Sequence, residues 1–331
     1  MRGLHGMVYE ETVMKMLVTA FNRDANRLAA LERMHPGIQF VLPEDRKQAP
    51  QLMADVDALF GQLTPDEYSQ SKHLRWVQSS SAGVEWIARV PGLADSDIVI
   101  TNMRGAHAAT IAEHTFAMLL ALTRTLPGFA AHQQLHEWGR GEVGVDMRGI
   151  KGLTMGIVGF GNIGRAIARR ATGFEMRVLA VDAEEVPPGE GVQEVWPLSR
   201  LNELCEQSDV LTISAPITPL SRGMIGRKQV GLLRRGSYIL QVSRGAIVDE
   251  PALVDALEEG HLQGAGLDVT ATEPLPVGDP LWTAPNTIIT PHTSAYSDLT
   301  MQLVYEILSE NVGRFVRGEP LMNMVDKRRG Y

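Results

Sequence analysis

Between Lys151 and Asp182 the chain reads KGLTMGIVGFGNIGRAIARRATGFEMRVLAVD, and few folds can use such a stretch. Leu153–Val158 is an apolar run of strand length. It leads straight into Gly159-Phe160-Gly161-Asn162-Ile163-Gly164, and Ile163, Ala166, Ile167 and Ala171 then follow at helical spacing. A second apolar run, Val178–Val181, ends on Asp182, about 20 residues past the glycines, where an acid meets a ribose in dinucleotide folds. Gly159 permits the tight turn, Gly161 lets the backbone approach a pyrophosphate, and Gly164 lets helix pack on strand. The helix start, with Asn162 and Ile163, offers unpaired N–H groups and the positive end of a dipole to the phosphates. Asp182 is placed to accept from a ribose diol. Strand, turn, helix and terminal acid in this order read as a Rossmann nucleotide site.

At 331 residues the chain is long enough for two domains, each with its own core. A hydrophobic share of 44% and a charged share of 21% belong to a globular protein. The net charge of −8 argues against nucleic acid as a partner, and the basic tail Lys327-Arg328-Arg329 is too short to reverse that. Cys205 is the single cysteine, so no intrachain disulfide and no cysteine metal cluster can form, and no metal site is expected. No run approaches the roughly 18 apolar residues of a membrane span, so no membrane partner is expected and the location read from the chain is cytoplasmic. Residues 1–14 read as an extension ahead of the first strand.

Apolar runs at Met16–Ala20, Ile38–Leu42, Val56–Phe60, Leu74–Gln78 and Asp97–Thr101 read as strands, with a helix at Arg23–Met34. Their alternation with polar or helical segments predicts a small α/β domain with a parallel sheet. Ser79-Ser80-Ser81-Ala82-Gly83 follows the fourth run, and small residues after a strand leave N–H groups free to hold an anion. Ala106–Leu126 reads as one buried helix, apolar on most sides and broken by Pro127-Gly128. It contains Glu113-His114, but Thr110 stands where an H-x-x-E-H metal motif needs histidine. Phe129–Arg148, with Trp138, has the mixed character of an arm or partner contact. Past Asp182 come a helix at Leu198–Gln207, strands at Asp209–Ser214 and Tyr238–Val242, and a helix at Pro251–Glu259. Strands at Gly264–Val269 and Thr287–Thr290 follow, and the final helix, Ser297–Arg317, is expected to pack back on the N-terminal half.

Ligands of open α/β sheets bind beyond the carboxyl ends of the strands. Arg244, Asp268, Glu273 and His292 all fall there. Together they supply a fixed cation, an imidazole able to carry a proton, and carboxylates to orient it.

With these residues in view, the chain resembles the D-isomer-specific 2-hydroxyacid dehydrogenases. The matching segments are GIVGFGNIGRAIA from Gly156, VSRGAIVDEPALVDALEEGHLQGAGLDV from Val242, EPLP from Glu273, and TPH ending at His292. HAATIAEHTFAMLLALTR from His107 and QSSSAGVE from Gln78 match as well, so the resemblance runs from about Leu74 to Leu308. It implies a catalytic set of Arg244, Glu273 and His292, with Asp268 holding the nicotinamide carboxamide. Ala215, Pro216 and Ser221 would line the adenosine side, and Val242, Ser243 and Ser294 would pass near the nicotinamide. The Ser81-Ala82-Gly83 backbone would grip a substrate carboxylate. Two residues depart from the family pattern: Gln241 stands where Asn is common, and Tyr296 where small residues are common.

The resemblance implies two doubly wound parallel-sheet domains. A Rossmann NAD-binding domain, 124–297, would be inserted in a flavodoxin-like substrate domain made of 1–123 and 298–331. The activity implied is reduction of a small 2-oxo acid, such as glyoxylate or hydroxypyruvate, to the D-2-hydroxy acid, by a homodimer. NAD(H) is expected over NADP(H), because Asp182-Ala183-Glu184-Glu185 would repel a 2′-phosphate. Other readings on the same fold are an NAD(H)-sensing corepressor and a formate- or phosphite-type dehydrogenase. The side-chain pocket is expected to draw on the segments around Gly61-Gln62 and Met103-Arg104, with a partner's Trp138 as a further candidate.

Overall fold

The computed structural model describes residues 13–20, 24–140 and 147–329. The chain divides into two compact units, Met1–Ala106 with Met301–Tyr331, and His107–Thr300. The second unit is thus inserted in the sequence of the first.

Among the described residues, the first unit holds strands β1 (Met14–Val18), β2 (Ile38–Val41), β3 (Ala58–Phe60), β4 (Trp76–Gln78) and β5 (Val99–Thr101). They lie in the order β2-β1-β3-β4-β5, all parallel, which is the flavodoxin-like winding. Both faces of this sheet are apolar. Met16 and Val18 of β1 join one buried cluster and Leu17, between them, joins another, as period-two alternation in a sheet covered on both sides requires. Since Met14 already pairs with Ile38, the expected N-terminal extension is shorter than 1–14; its residues 1–12 lie outside the described set.

The C-terminal helix, Asp298–Arg317, returns to this unit as expected: Val304, Tyr305, Leu308 and Val312 pack with Phe60 and Trp76. A buried polar chain fixes its register. Trp76 donates its indole N–H to Thr101 Oγ1 at 2.8 Å, and Thr101 in turn donates to Gln78 Oε1 at 2.8 Å. The same oxygen accepts from Asn311 Nδ2 at 2.9 Å.

The second unit contains β6 (Thr154–Val158), β7 (Arg177–Asp182), β8 (Val195–Pro197), β9 (Val210–Ile213), β10 (Ser237–Gln241), β11 (Leu262–Leu267) and β12 (Thr287–Ile289). The parallel order β12-β11-β10-β9-β6-β7-β8 is the Rossmann order with one strand added beyond β11. Strand β8 has no counterpart in the sequence reading. It is three residues long, ends in Pro197 and lies at the sheet edge, where proline is tolerated and a short strand leaves little periodicity to detect.

Two expectations change here. The long apolar helix is Ala108–Thr123, and it belongs to the second unit, so the units divide at 106/107 where the sequence reading put the boundary after 123. Ile111, Ala112, Phe116, Met118, Leu119 and Leu122 pack with Ala166, Ile167, Ala168 and Ala171 of the helix Asn162–Gly173, whose small residues let the two helices approach. Nor does Pro127-Gly128 break the helix. The turn comes at Thr125, which adopts φ +51°, and Pro127 sits in the first turn of a new helix, Leu126–Gln134. A proline there gives up an N–H that has no intrahelical partner anyway. Among the described residues, no helix is long and apolar enough to cross a membrane.

Candidate active site

The carboxyl ends of β6 and β7 carry the nucleotide motif. Gly159, just past β6, has φ +92°, and a Cβ there would lie 2.6 Å from the Cα and N of Ala215, so no other residue fits the turn. Gly161 is the N-cap of Asn162–Gly173 and no side chain caps that helix. Its first N–H groups therefore remain for an anion, and a Cβ on Gly161 would meet nothing within 4 Å. Asn162 is exposed, Ile163 half-buried, and Gly164 lies against the Gly159 carbonyl. Asp182 closes β7. Its Oδ2 accepts from Phe160 N–H at 2.6 Å and its Oδ1 from Glu184 N–H at 3.0 Å, tying the glycine turn to the acid. Two of a carboxylate's roughly four acceptor sites are used, which leaves capacity for a diol.

Beyond β9, buried Ala215 and exposed Pro216 face the same edge of the sheet. Ser221 staples their loop: its hydroxyl donates to Pro216 O at 2.7 Å and accepts from Thr218 N–H at 2.8 Å. Beyond β10, Val242 and Ser243 are buried, and Ser243 Oγ has no hydrogen-bond partner among the described residues. A buried, unsatisfied hydroxyl at the carboxyl end of the same sheet, an uncapped helix start and the open space at Gly161 together fit a dinucleotide.

The loops after β10, β11 and β12 hold the three residues expected to do chemistry. Arg244 is half-buried, with Nη1 donating to Ser243 O at 2.6 Å. Gln241, a departure from the family pattern by sequence, secures this loop by donating to Arg244 O at 2.8 Å and Gly245 O at 2.7 Å. A Cβ on Gly245 would lie 1.9 Å from the carbonyl carbon of Thr270, so the arginine loop and the loop carrying Glu273 touch backbone to backbone. Glu250 holds that second loop from the other side, accepting from Ala271 N–H at 2.6 Å; burial pushes its carboxyl above the ordinary carboxylate range. Nothing in the sequence marked Gln241 or Glu250 for these tasks, because each depends on a contact between separate loops.

Glu273 and His292, 19 residues apart, are joined: Glu273 Oε2 meets His292 Nδ1 at 2.8 Å. The other carboxylate oxygen accepts from Thr270 N–H at 3.1 Å. Because the carboxylate accepts at Nδ1, that nitrogen carries hydrogen, and Nε2 is left to exchange a proton with a ligand. Nε2 has no partner among the described residues, and the side chain is 46% exposed. Asp268 lies just past the end of β11, its side chain fully buried. It accepts from Thr290 Oγ1 at 2.6 Å, Thr293 N–H at 2.9 Å and Ser294 N–H at 3.0 Å. Its backbone oxygen accepts from His292 N–H at 2.8 Å, and His292 itself has φ +55°.

Ser81, Ala82 and Gly83 belong to the first unit, beyond β4. Their carbonyls are all occupied: Met103 N–H donates to Ser81 O at 3.2 Å, Asn102 Nδ2 to Ala82 O at 2.8 Å, and Ser81 Oγ to Gly83 O at 2.8 Å. The N–H groups of Ala82 and Gly83 take no partner among the described residues, the arrangement an anion cradle needs. Arg104 is exposed and Trp138 is 94% exposed. Cys205 is buried, and that burial pushes its thiol up to about 12, so it is no nucleophile at neutral pH. Among the described residues no group of three or more His, Cys, Asp or Glu side chains could hold a metal ion.

A family model described as D-isomer specific 2-hydroxyacid dehydrogenase, NAD binding domain, matches residues 116–294. The chain is 33% identical over 269 residues to a D-3-phosphoglycerate dehydrogenase of Methanocaldococcus jannaschii, covering 80% of this chain and 50% of that protein. It therefore spans only half the length of that relative. To a glyoxylate reductase of Korarchaeum cryptofilum it is 34% identical over 294 residues, 86% of this chain and 87% of the other. Its fold matches a D-isomer specific 2-hydroxyacid dehydrogenase from Xanthobacter autotrophicus Py2, solved in complex with NADPH and MES, with a TM-score of 0.79 and 27% identity over 97% of this chain and 100% of that one.

Gly161 separates nucleotide binding from folding. Its φ is −77° and a Cβ would find open space, so Gly161→Ala is expected to unfold at the wild-type temperature. The added methyl would stand where a pyrophosphate approaches, raising the Kd for NADH by about tenfold or more, roughly 1.4 kcal/mol. Fluorescence titration with NADH, beside a thermal melt, checks both; wild-type affinity in the variant would place the nucleotide elsewhere.

Proposed function

The chain belongs to the D-isomer-specific 2-hydroxyacid dehydrogenases, and from that footing we propose that it is an NAD-dependent oxidoreductase that reduces a small 2-oxo acid to the D-2-hydroxy acid. The observation that carries this reading is the 2.8 Å pairing of Glu273 with His292, with the Glu273 loop adjoining the one that bears Arg244, in the unit that also carries a complete dinucleotide motif.

NADH, when bound, supplies the hydride that C2 of the 2-oxo acid receives. Arg244 offers a planar fork of donors, matched to a carboxylate and the neighbouring carbonyl oxygen. Ser81, Ala82 and Gly83, in the first unit, are proposed as substrate-binding residues, Ala82 and Gly83 with N–H groups suited to an anion. His292, protonated, gives the proton on Nε2 to the carbonyl oxygen as it gains negative charge. Glu273 holds the ring by Nδ1 and stabilises the imidazolium by its charge. Asp268 has one acceptor site beyond its three donors, which suits the amide N–H of a nicotinamide carboxamide.

NAD(H) is the proposed cofactor in preference to NADP(H). Asp182, Glu184 and Glu185 follow one another at the end of β7, and Arg165, the basic residue directly after the glycine motif, is engaged elsewhere. It lies over the Phe160 ring at 4.6 Å and donates to the Pro187 carbonyl. A glyoxylate- or hydroxypyruvate-like substrate is the proposed class, supported by the glyoxylate and hydroxypyruvate reductases among the relatives. A cytoplasmic location and the absence of membrane partners are part of the same reading, as is the absence of nucleic-acid partners, which the net charge of −8 supports.

Initial rates with glyoxylate, hydroxypyruvate, pyruvate and phenylpyruvate, each with NADH and with NADPH, test the reaction and the cofactor together. At least one 2-oxo acid should be reduced, with kcat/KM clearly higher for NADH. Equal values for the two cofactors would overturn the preference, and no turnover at all would overturn the activity.

His292→Ala is expected to lower kcat roughly 10²–10⁴-fold, the usual contribution of a general acid. Glu273→Gln keeps a partner for Nδ1 but removes the charge, so it should retain more activity than His292→Ala and less than wild type. Wild-type kcat in Glu273→Gln would show that the carboxylate serves only its own loop.

A homodimer is the proposed assembly, built on the arm that follows the helix Ala108–Thr123. Leu126, Leu135 and Trp138 are exposed there, an apolar set of the kind that marks interfaces. Residues 141–146 of this arm lie outside the described residues. Light scattering should give twice the chain mass of 36.3 kDa, and a clean monomer at assay concentration would refute the assembly.

A further inference from the structure

The Glu113-His114 pair, which falls outside the H-x-x-E-H motif, makes other contacts. Glu113 turns to Arg170 at 2.7 Å, while His114, on the same helix Ala108–Thr123, turns toward β12 and puts Nε2 2.9 Å from Thr290 Oγ1. Thr290 donates its only hydroxyl hydrogen to Asp268 Oδ1, a carboxylate that can do nothing but accept. The Thr290 oxygen must therefore accept from His114, which assigns the hydrogen on His114 to Nε2. The bonds run one way: His114 N–H to the Thr290 hydroxyl, and that hydroxyl to Asp268. Asp268 then holds Thr293 N–H, Ser294 N–H and, by its backbone oxygen, His292 N–H.

We infer that His114 is a positioning residue for His292, acting through Thr290 and Asp268. This rests on the reading of His292 as the proton donor of the proposed reduction. A donor on Thr290 polarises its hydroxyl and strengthens the bond to the buried carboxylate. That carboxylate in turn keeps His292 at φ +55°, a conformation a non-glycine residue holds only when its surroundings enforce it. Without His114, Thr290 can turn its hydroxyl away, and the loop that aims Nε2 is held by fewer bonds. His114 touches neither reacting atom nor proton, so its loss should slow the chemical step more than it weakens NADH binding.

Wild-type reduction of a 2-oxo acid is measured first, since its absence would defeat the functional reading and leave the bonding pattern to be judged separately. That judgement comes from nitrogen-15 NMR of the histidine rings in the wild-type protein, which needs no activity. His114 should show hydrogen on Nε2, and Thr290→Val should shift the ring signals of His292; hydrogen on Nδ1 alone, or unmoved His292 signals, would overturn the inference. In kinetics, His114→Ala should lower kcat about tenfold or more while the Kd for NADH changes less than about threefold. His114→Gln, whose amide nitrogen reaches nearly the position of Nε2, should restore kcat to within about threefold of wild type. His114→Ala in a Thr290→Val background should add little, because coupled residues are not additive. Wild-type kcat in a folded His114→Ala protein, failure of Gln to restore it, or full additivity with Thr290→Val would each overturn the inference.

Discussion

Asp268 has a charged side chain with no access to water, and burying a carboxylate costs several kcal/mol unless donors surround it. All three of its side-chain donors come from the stretch Thr290–Ser294. That loop cannot relax away without stranding the charge, so a stability requirement becomes a positional one. His292 sits inside the stretch, its N–H on the Asp268 carbonyl, and its ring direction follows.

The sheet does the rest of the assembly. Strands β10, β11 and β12 are neighbours, and parallel strands lie about 4.8 Å apart, so the loops leaving their carboxyl ends emerge side by side. Gly245 removes the one Cβ that would keep the first two loops apart, and Gln241 and Glu250 hold each of them from behind. Arg244, Glu273 and His292 thus come together by strand order, although 48 positions separate the first from the last. Each is fixed by a backbone contact or by a neighbour's side chain, so positioning here is shared with groups outside the proposed catalytic set.

The dinucleotide motif was legible because every residue type in it answers a local demand. Gly159 must adopt φ +92°, Asn162 starts a helix, and Asp182 ends a strand. The parallel sheets were legible too, since strands buried on both faces leave unbroken apolar runs. Strand β8 was not, being three residues long and half-exposed in part. The helix Ala108–Thr123 was seen as buried, but an apolar circumference does not say which core it joins. That was decided by the small residues of Asn162–Gly173, far along the chain. The turn at Thr125 was misplaced onto Pro127 because proline both ends helices and begins them, and only the backbone distinguishes the two.

By itself the sequence determined the two α/β sheets and the nucleotide turn, and singled out Arg244, Glu273 and His292 as candidates, because local propensity, period and residue chemistry are properties of neighbours in the chain. Tertiary structure alone decided that Gln241 and Glu250 brace the loops, that Asp268 gathers Thr290–Ser294 around itself, and that His114 reaches Thr290 across 176 positions. Those roles are hydrogen bonds between distant segments. A hydrogen bond depends on distance and direction in space, and neither is written at any single position of the chain.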